Sequence, residues 1–209
     1  MRKVRHWTPR YVSNRMRLMT WEHNHADAPW LTPEAVRMLA SVLRPCDRGV
    51  EFGSGRSTIW FGERVGMLTS VEHDEHWYAS VSKELKSRKL TNVEYKFAPQ
   101  DQPPESGDKS EYAGIALLFP KESVDFTLID GIYRDFTAKL MLPRIKRGGL
   151  MIIDNANWFL PSQSYSPSSR THALGPEGPG WAEVANELDG WRSIWTSSGV
   201  TDTAIFIKP

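Results

Sequence analysis

The chain contains a single cysteine, Cys46, among its 209 residues. A disulfide within the chain needs two thiols and a cysteine-based zinc site needs several, so the sequence excludes both. It also contains no apolar run long enough to span a bilayer and no recognisable secretory leader. We therefore expect a protein of the reducing cytoplasm, and its oligomeric state stays open.

An excess of one sign of charge is also missing, because 26 Lys and Arg residues stand against 25 Asp and Glu residues and leave a net charge of +1. This balance disfavours broad electrostatic binding to nucleic acid. Basic residues are nevertheless concentrated before the first acid, Glu22, and these are Arg2, Lys3, Arg5, Arg10, Arg15 and Arg17. Residues 1–30 are predicted to be either a basic arm over the domain or a lid at the acceptor site, which leaves RNA open as a partner.

A glycine-rich turn near residue 53 is the most informative local feature. An apolar run ends in Gly53-Ser54-Gly55, and a helical pattern follows. Because glycine has no Cβ, the backbone can turn tightly there and come close to a ligand. We expect Ser57 or Thr58 to cap the helix, whose free N–H groups suit a carboxylate or phosphate. An ordinary tight turn between strand and helix is the alternative interpretation.

Strand and helix patterns alternate along the rest of the chain. The predicted strands after the first are residues 66–74, 92–98, 124–131, 150–155, 191–196 and 203–208. The predicted helices include residues 75–89, 111–120, 134–146 and 181–188, and Gly148-Gly149 is expected to break the helix before residue 150. Such alternation predicts a doubly wound α/β fold with a mostly parallel sheet, and the short last connection predicts an antiparallel C-terminal hairpin.

Acidic and amide side chains end several of the predicted strands. Glu72 lies about 20 residues beyond the glycine turn, where an acid accepts hydrogen bonds from ribose hydroxyls. Asp130 ends the fourth strand, and Asp154 and Asn155 end the fifth. The carboxyl ends of parallel strands meet at one edge of an open sheet, so these residues are expected at a ligand-binding edge.

These motifs, taken in order, resemble those of the class I S-adenosylmethionine (SAM) methyltransferases. The similarity covers about residues 31–209 and is greatest to small bacterial methyltransferases whose substrates are unassigned. It implies a Rossmann-like sheet of seven strands with an antiparallel last strand. Residues 1–30 would be an arm or lid outside this SAM-binding domain.

The resemblance also implies which residues bind SAM. They are Glu51, Gly53, Ser54, Gly55, Ser57, Thr58, Glu72, His73 and Asp130. Within this group the glycine loop would surround the methionine part of SAM, Glu72 would bind the ribose diol, and Asp130 would stand next to the methyl donor.

Methylation of a hydroxyl also requires that its proton be removed, by a base or by a metal ion that lowers its pKa. His172 is a candidate base because it lies in the long loop 156–180, and Asp130 is the second candidate catalytic residue. Asp130, Asp154 and Asn155 resemble the metal triad of catechol-type O-methyltransferases and supply oxygen ligands that suit Mg²⁺. A turn cap is the alternative for Asp154 and Asn155, and binding of the SAM amino group is the alternative for Asp130. Arg134 and Arg170 are candidate partners for an anionic acceptor, with solvated side chains as the alternative.

The leading interpretation is a SAM-dependent methyltransferase (EC 2.1.1) that acts on a small-molecule or glycan-like acceptor, at oxygen. One alternative is an NAD or nucleotide-sugar enzyme of the Rossmann type. Thr58 stands where the dinucleotide fingerprint has its third glycine, and the closing hairpin is also unnecessary for that class. The other alternative is a SAM-binding scaffold without catalytic activity.

Overall fold

Seven strands form one sheet in the computed structural model, which describes residues 7–209. The strands are β1 (Arg48–Phe52), β2 (Met67–Glu72), β3 (Val93–Phe97), β4 (Val124–Ile129), β5 (Ile145–Asp154), β6 (Arg192–Ser197) and β7 (Asp202–Ile207). Their order is β3-β2-β1-β4-β5-β7-β6, and β7 alone runs antiparallel to both of its neighbours. The predicted doubly wound sheet with an antiparallel C-terminal hairpin is confirmed.

Seven α-helices accompany the sheet in the described part of the chain. They are α1 (Pro9–Asn24), α2 (Pro33–Val42), α3 (Arg56–Gly62), α4 (Glu75–Ser87), α5 (Glu111–Gly114), α6 (Arg134–Met141) and α7 (Gly178–Leu188). None of these helices has the length and apolar character needed to cross a membrane. Thr32 caps α2, and Asp74 caps α4 by accepting a hydrogen bond from the Trp77 amide at 2.7 Å.

Helices cover both faces of the sheet. Adjacent residues of a strand point to opposite faces, and β5 shows this. Met151 packs in the layer that contains α5, α6 and α7. Its neighbour Ile152 packs in the layer that contains α2 and α3. All of the ligand-accessible surface of such a sheet therefore lies at its edges, and above all at the carboxyl ends of the parallel strands.

The boundary between α6 and β5 differs from the prediction. The helix was expected to continue to residue 146 and to break at Gly148 and Gly149, but α6 ends at Met141 and β5 begins at Ile145. Pro143 explains the early end, since proline has no N–H for a helical hydrogen bond. The two glycines lie inside β5.

The basic N-terminal segment contains helix α1. Leu18 is buried, and Trp21 packs against the layer that contains α2 and α3. Arg2, Lys3 and Arg5 of the predicted basic arm lie outside the described residues. The division into an arm or lid of residues 1–30 and a domain of residues 31–209 stays a prediction.

Candidate functional site

The glycine turn follows β1 at the carboxyl edge of the sheet. Gly53 has a φ of +96°, and its N–H donates to the carbonyl of Val71 at 2.9 Å. A Cβ at this position would lie 2.5 Å from the backbone nitrogen of Gly131, which follows β4. Both the conformation and this close approach require glycine.

Gly55 is the N-cap residue of helix α3, so the N-cap is not Ser57 or Thr58, although the Thr58 side chain takes part in the capping. Ser57 and Thr58 lie within the first turn and are buried. The Thr58 hydroxyl accepts a hydrogen bond from the Gly55 amide at 2.9 Å and donates to Oε2 of Glu51 at 2.6 Å. The Thr58 hydroxyl therefore stabilises the loop, because it links the Gly55 amide to the buried side chain of Glu51.

Glu51 is fully buried below the loop. Its Oε2 also accepts a hydrogen bond from the Ser70 hydroxyl at 2.5 Å, while Oε1 has no partner among the described residues. Burial raises the pKa of Glu51 to about 7, although the hydroxyl donors act in the opposite direction. Glu51 is therefore a carboxyl group that can carry a proton near neutral pH.

This raised pKa predicts a pH-dependent stability. The folded chain holds the Glu51 proton between pH 4.5 and about 7, whereas an unfolded chain releases it above pH 4.5. Stability from this group is therefore complete below pH 4.5 and lost as pH rises through about 7, by roughly 3 kcal/mol. Urea unfolding at several pH values should show a shallower decline in Glu51→Gln than in the wild type.

Burial also raises the pKa of Asp154, so this residue makes the free energy of unfolding fall with rising pH in both the wild type and Glu51→Gln. The difference between the two unfolding profiles is therefore the informative quantity. Identical slopes between pH 4.5 and 7 would contradict the assignment of a raised pKa to Glu51.

Glu72, at the end of β2, binds the glycine loop through hydrogen bonds to Ser54. Its Oε2 accepts hydrogen bonds from the amide and the hydroxyl of Ser54, at 3.0 and 2.6 Å. Its Oε1 accepts from the amides of His73 and Asp74, at 2.8 and 2.9 Å. Burial favours the neutral form, but the adjacent His73 side chain, the Asp74 amide and the two donors of Ser54 outweigh it and lower the pKa of Glu72 to about 2, so the carboxylate is charged at neutral pH.

Buried polar atoms without partners are concentrated around this loop. Six such side-chain atoms occur among the described residues, and three of them are Glu51 Oε1, His73 Nδ1 and the Tyr112 hydroxyl. His73 Nδ1 lies 3.0 Å from Oε1 of Glu72 but is not aligned for a hydrogen bond. The Tyr112 hydroxyl lies so close to Gly131 that a Cβ there would collide with it. Because unpaired buried polar groups are costly, their clustering indicates a place where a polar ligand binds.

A cavity of about 710 Å³ adjoins the loop on the side of Asp130. Helix α1 forms one wall, and four aromatic side chains contribute to the lining: Trp7, Tyr11, Trp30 and Trp158. The polar lining comes from Arg15, Glu22, Asp130, Asp154, Asn155, Ser168 and Thr201. His172 is exposed and is not among the lining residues.

Solved structures of other proteins share this architecture. A methyltransferase-like protein of Silicibacter pomeroyi is 21% identical with a TM-score of 0.57, and the similarity covers 88% of this chain and 90% of that one. A Staphylococcus aureus protein described as a caffeoyl-CoA O-methyltransferase is 13% identical with a TM-score of 0.57, over 93% of this chain and 91% of that one. A Streptococcus mutans protein described as a methyltransferase, in complex with S-adenosylhomocysteine (SAH), is 12% identical with a TM-score of 0.56, over 83% and 94%.

This chain has the fold of the class I SAM-dependent methyltransferases. No family model matches its sequence, and no curated protein matches it either. The assignment of the fold therefore rests on tertiary structure.

Within the methyltransferase fold, the residues predicted to bind SAM fall into two groups. Those at the carboxyl edge of the sheet are Gly53, Ser54, Gly55, Glu72, His73 and Asp130. Those buried beneath the loop are Glu51, Ser57 and Thr58. The second group supports the loop from within the protein, and the SAM-binding role of both groups stays a prediction.

Two aromatic residues at the loop were not assigned a site role from the sequence. Trp77, in the first turn of α4, is partly exposed, and its Nε1 donates to the Ser54 carbonyl at 2.8 Å. Its ring stacks on Trp30 at 6.2 Å and so connects the loop to the cavity. Tyr112 lies in a helical insertion whose sequence pattern carries no functional signal. The sequence did hold a signal for Trp77: its position three residues after the cap Asp74 puts its ring at the start of α4, close to the loop.

The three residues of the predicted metal triad do lie together at the ends of β4 and β5. Asp130, Asp154 and Asn155 all line the cavity. Arg134 donates hydrogen bonds to Oδ1 of Asp130 at 2.9 Å and to Oδ1 of Asn155 at 3.3 Å. An arginine is therefore bound where a metal ion was predicted.

Proposed function

We propose that this chain binds SAM at the Gly53–Gly55 loop and transfers its methyl group to an acceptor in the adjoining cavity. The observation that supports this most strongly is the group of unpartnered buried polar atoms around a loop that glycine alone can form. That loop lies at the carboxyl edge of a sheet with the methyltransferase fold, where open α/β sheets bind their ligands.

The proposed cofactor contacts come from the upper surface of the loop. Gly53, Ser54 and Gly55 would lie along the methionine part of SAM, and Glu72 would accept hydrogen bonds from the ribose hydroxyls. A ribose hydroxyl can take the place of the Ser54 hydroxyl on Oε2 of Glu72, because the Ser54 hydroxyl also lies 2.6 Å from that of Tyr95 and can turn toward it. His73 and Asp130 would complete the site.

Bound SAM supplies a methyl group on a sulfonium, which is already activated for transfer. The protein must then align the acceptor and exclude water, and Trp30, Trp158 and helix α1 are placed to do so around the cavity. This role would make α1 part of the predicted lid.

The acceptor is proposed to be a small molecule or a glycan-like group, methylated at oxygen. A cavity of about 710 Å³ with aromatic and polar walls has the size and character of a small-molecule site. Asp130 is a better candidate than His172 for the base that accepts the hydroxyl proton, because Asp130 lines the cavity and His172 does not. The O-methyltransferase designation of the Staphylococcus aureus protein agrees with transfer to oxygen.

Titration calorimetry with SAM, SAH and NAD tests the proposal directly. We expect heat of binding with SAM and SAH and none with NAD. At a SAH concentration of 100 times its Kd, the free energy of unfolding should rise by about 2.7 kcal/mol. Binding of NAD alone, or of none of the three, would overturn the proposed function.

A separate measurement distinguishes an enzyme from a scaffold. Incubation with radiolabelled methyl-SAM and a panel of hydroxylated aromatic and sugar acceptors should label at least one of them. Asp130→Asn should lose this labelling to a far greater extent than it weakens SAH binding, because an amide cannot accept the hydroxyl proton.

A further inference from the structure

Arg134 joins the ends of β4 and β5 through all five of its N–H groups. Nε donates to the Gly131 carbonyl at 2.9 Å. One terminal nitrogen donates to the carbonyl and Oδ1 of Asp130, at 2.6 and 2.9 Å. The other donates to the Asp154 carbonyl at 2.8 Å and to Oδ1 of Asn155 at 3.3 Å. The guanidinium group, which has five donors, is thus fully used within the protein.

This arrangement changes the expected role of Arg134. Only 16% of its side chain is exposed, and the guanidinium group also lies 5.4 Å from the centre of the Phe159 ring. No N–H remains for an anionic acceptor, so the pairing predicted from the sequence does not fit the structure. Arg134 instead fixes one oxygen of the Asp130 carboxylate, while the other takes no hydrogen bond from the described residues.

The three predicted metal ligands do not fit Mg²⁺ in this arrangement. Mg²⁺ needs near-octahedral oxygen ligands at about 2.0–2.1 Å. Oδ1 of Asp130 and Oδ1 of Asn155 are bound by Arg134, and Oδ1 of Asp154 accepts a hydrogen bond from the Thr203 hydroxyl at 3.0 Å. A divalent cation would also be repelled by the guanidinium charge beside it.

We infer that Arg134 is a fixed internal cation that takes the place of a divalent metal ion at this edge of the sheet. It is a positioning residue, which holds the Asp130 carboxylate toward the cavity and ties the end of β4 to the end of β5. The place of a divalent metal ion is therefore already filled. This inference concerns the cation alone, so it stands or falls independently of SAM binding.

Electron paramagnetic resonance of Mn²⁺ tests the inference, because bound Mn²⁺ loses the six-line signal of the free ion. The wild type should leave this signal unchanged at equal concentrations of ion and protein. Arg134→Ala should bind Mn²⁺ at least tenfold more tightly than the wild type, since it frees the oxygens of Asp130 and Asn155. Adding Asp130→Asn to this variant should remove the binding again.

Two further variants control for charge and for the loss of an arginine. Arg134→Lys keeps the positive charge and should exclude Mn²⁺ as the wild type does. Arg170→Ala removes another arginine that is fixed by carbonyl groups, those of Leu174, Gly175 and Pro176, but it frees no carboxylate and should not bind Mn²⁺.

Binding of Mn²⁺ to the wild type that is lost in Asp130→Asn would overturn the inference. A folded Arg134→Ala variant that binds Mn²⁺ no better than the wild type would overturn it as well. Circular dichroism shows whether Arg134→Ala folds. If it does not fold, the wild type and Arg134→Lys are used for the test. Mn²⁺ binding to Arg134→Lys at the Asp130 site would then contradict the inference. SAH calorimetry on the same proteins keeps this result separate from the proposed function.

Discussion

Gly53→Ala is expected to weaken SAH binding by at least about 100-fold, which corresponds to roughly 2.7 kcal/mol. The backbone of Gly53 has a φ of +96°, where a side chain is strained, and its Cβ would lie 2.5 Å from the Gly131 nitrogen. Relief of this contact must move the loops after β1 and β4 apart, and the proposed cofactor site lies on these two loops. Calorimetry with SAH measures the effect.

Gly148→Ala provides a matched control for Gly53→Ala. Gly148 also has a positive φ, +77°, but a Cβ there would meet no atom within 4 Å. It lies in the N-terminal part of β5, away from the carboxyl edge of the sheet. We expect the Gly148→Ala variant to lose about 1 kcal/mol of stability from backbone strain and to keep the SAH affinity of the wild type. Equal losses of affinity in the two variants would remove the special role assigned to the Gly53 loop.

Glu72→Ala is expected to lower the free energy of unfolding by about 2–4 kcal/mol and to abolish SAH binding. The substitution leaves three backbone amides and the Ser54 hydroxyl without their acceptor. Partial access of water to Ser54 and His73 keeps the loss below the full cost of four unpaired donors. Urea unfolding and SAH calorimetry measure the two effects.

Glu94→Ala is the comparison for Glu72→Ala on the neighbouring strand. Glu94 is exposed, pairs with Lys96 at 2.7 Å and accepts one hydrogen bond, from the Thr69 hydroxyl at 3.2 Å. Removing such a surface pair should cost about 0–1 kcal/mol. Glu72→Gln should fall between the two, because its amide keeps one acceptor oxygen. Similar losses in Glu72→Ala and Glu94→Ala would mean that the acceptor role of Glu72 is unimportant for folding.

The class of fold could be predicted from the sequence because its signals are local. Strand and helix patterns depend on the period of apolar residues, and the cap at Thr32 depends on residues within one turn. The glycine loop and the acids at strand ends were also visible, since each follows an apolar strand at a fixed place. Their meeting at one edge followed from the parallel topology alone.

The roles of particular side chains could not be predicted, because they depend on neighbours that are distant in the sequence. Ser57 or Thr58 was expected to be the N-cap of α3, but Gly55 is, and the Thr58 hydroxyl links the Gly55 amide to the buried side chain of Glu51. Tyr112 reaches Gly131 from an insertion that carries no motif.

The sequence by itself determined the alternation of strands and helices, the glycine turn and the acids that end β2, β4 and β5, since these depend on residue type and spacing. Only the tertiary structure decided which of these acids is free to meet a ligand. Arg134 lies four residues beyond Asp130, but its contact with Asn155 spans 21 positions of the chain and exists only because β4 and β5 are neighbours. The internal ion pair that we infer in place of the predicted metal site therefore depends on hydrogen bonding across adjacent strands, which residue type and spacing do not show.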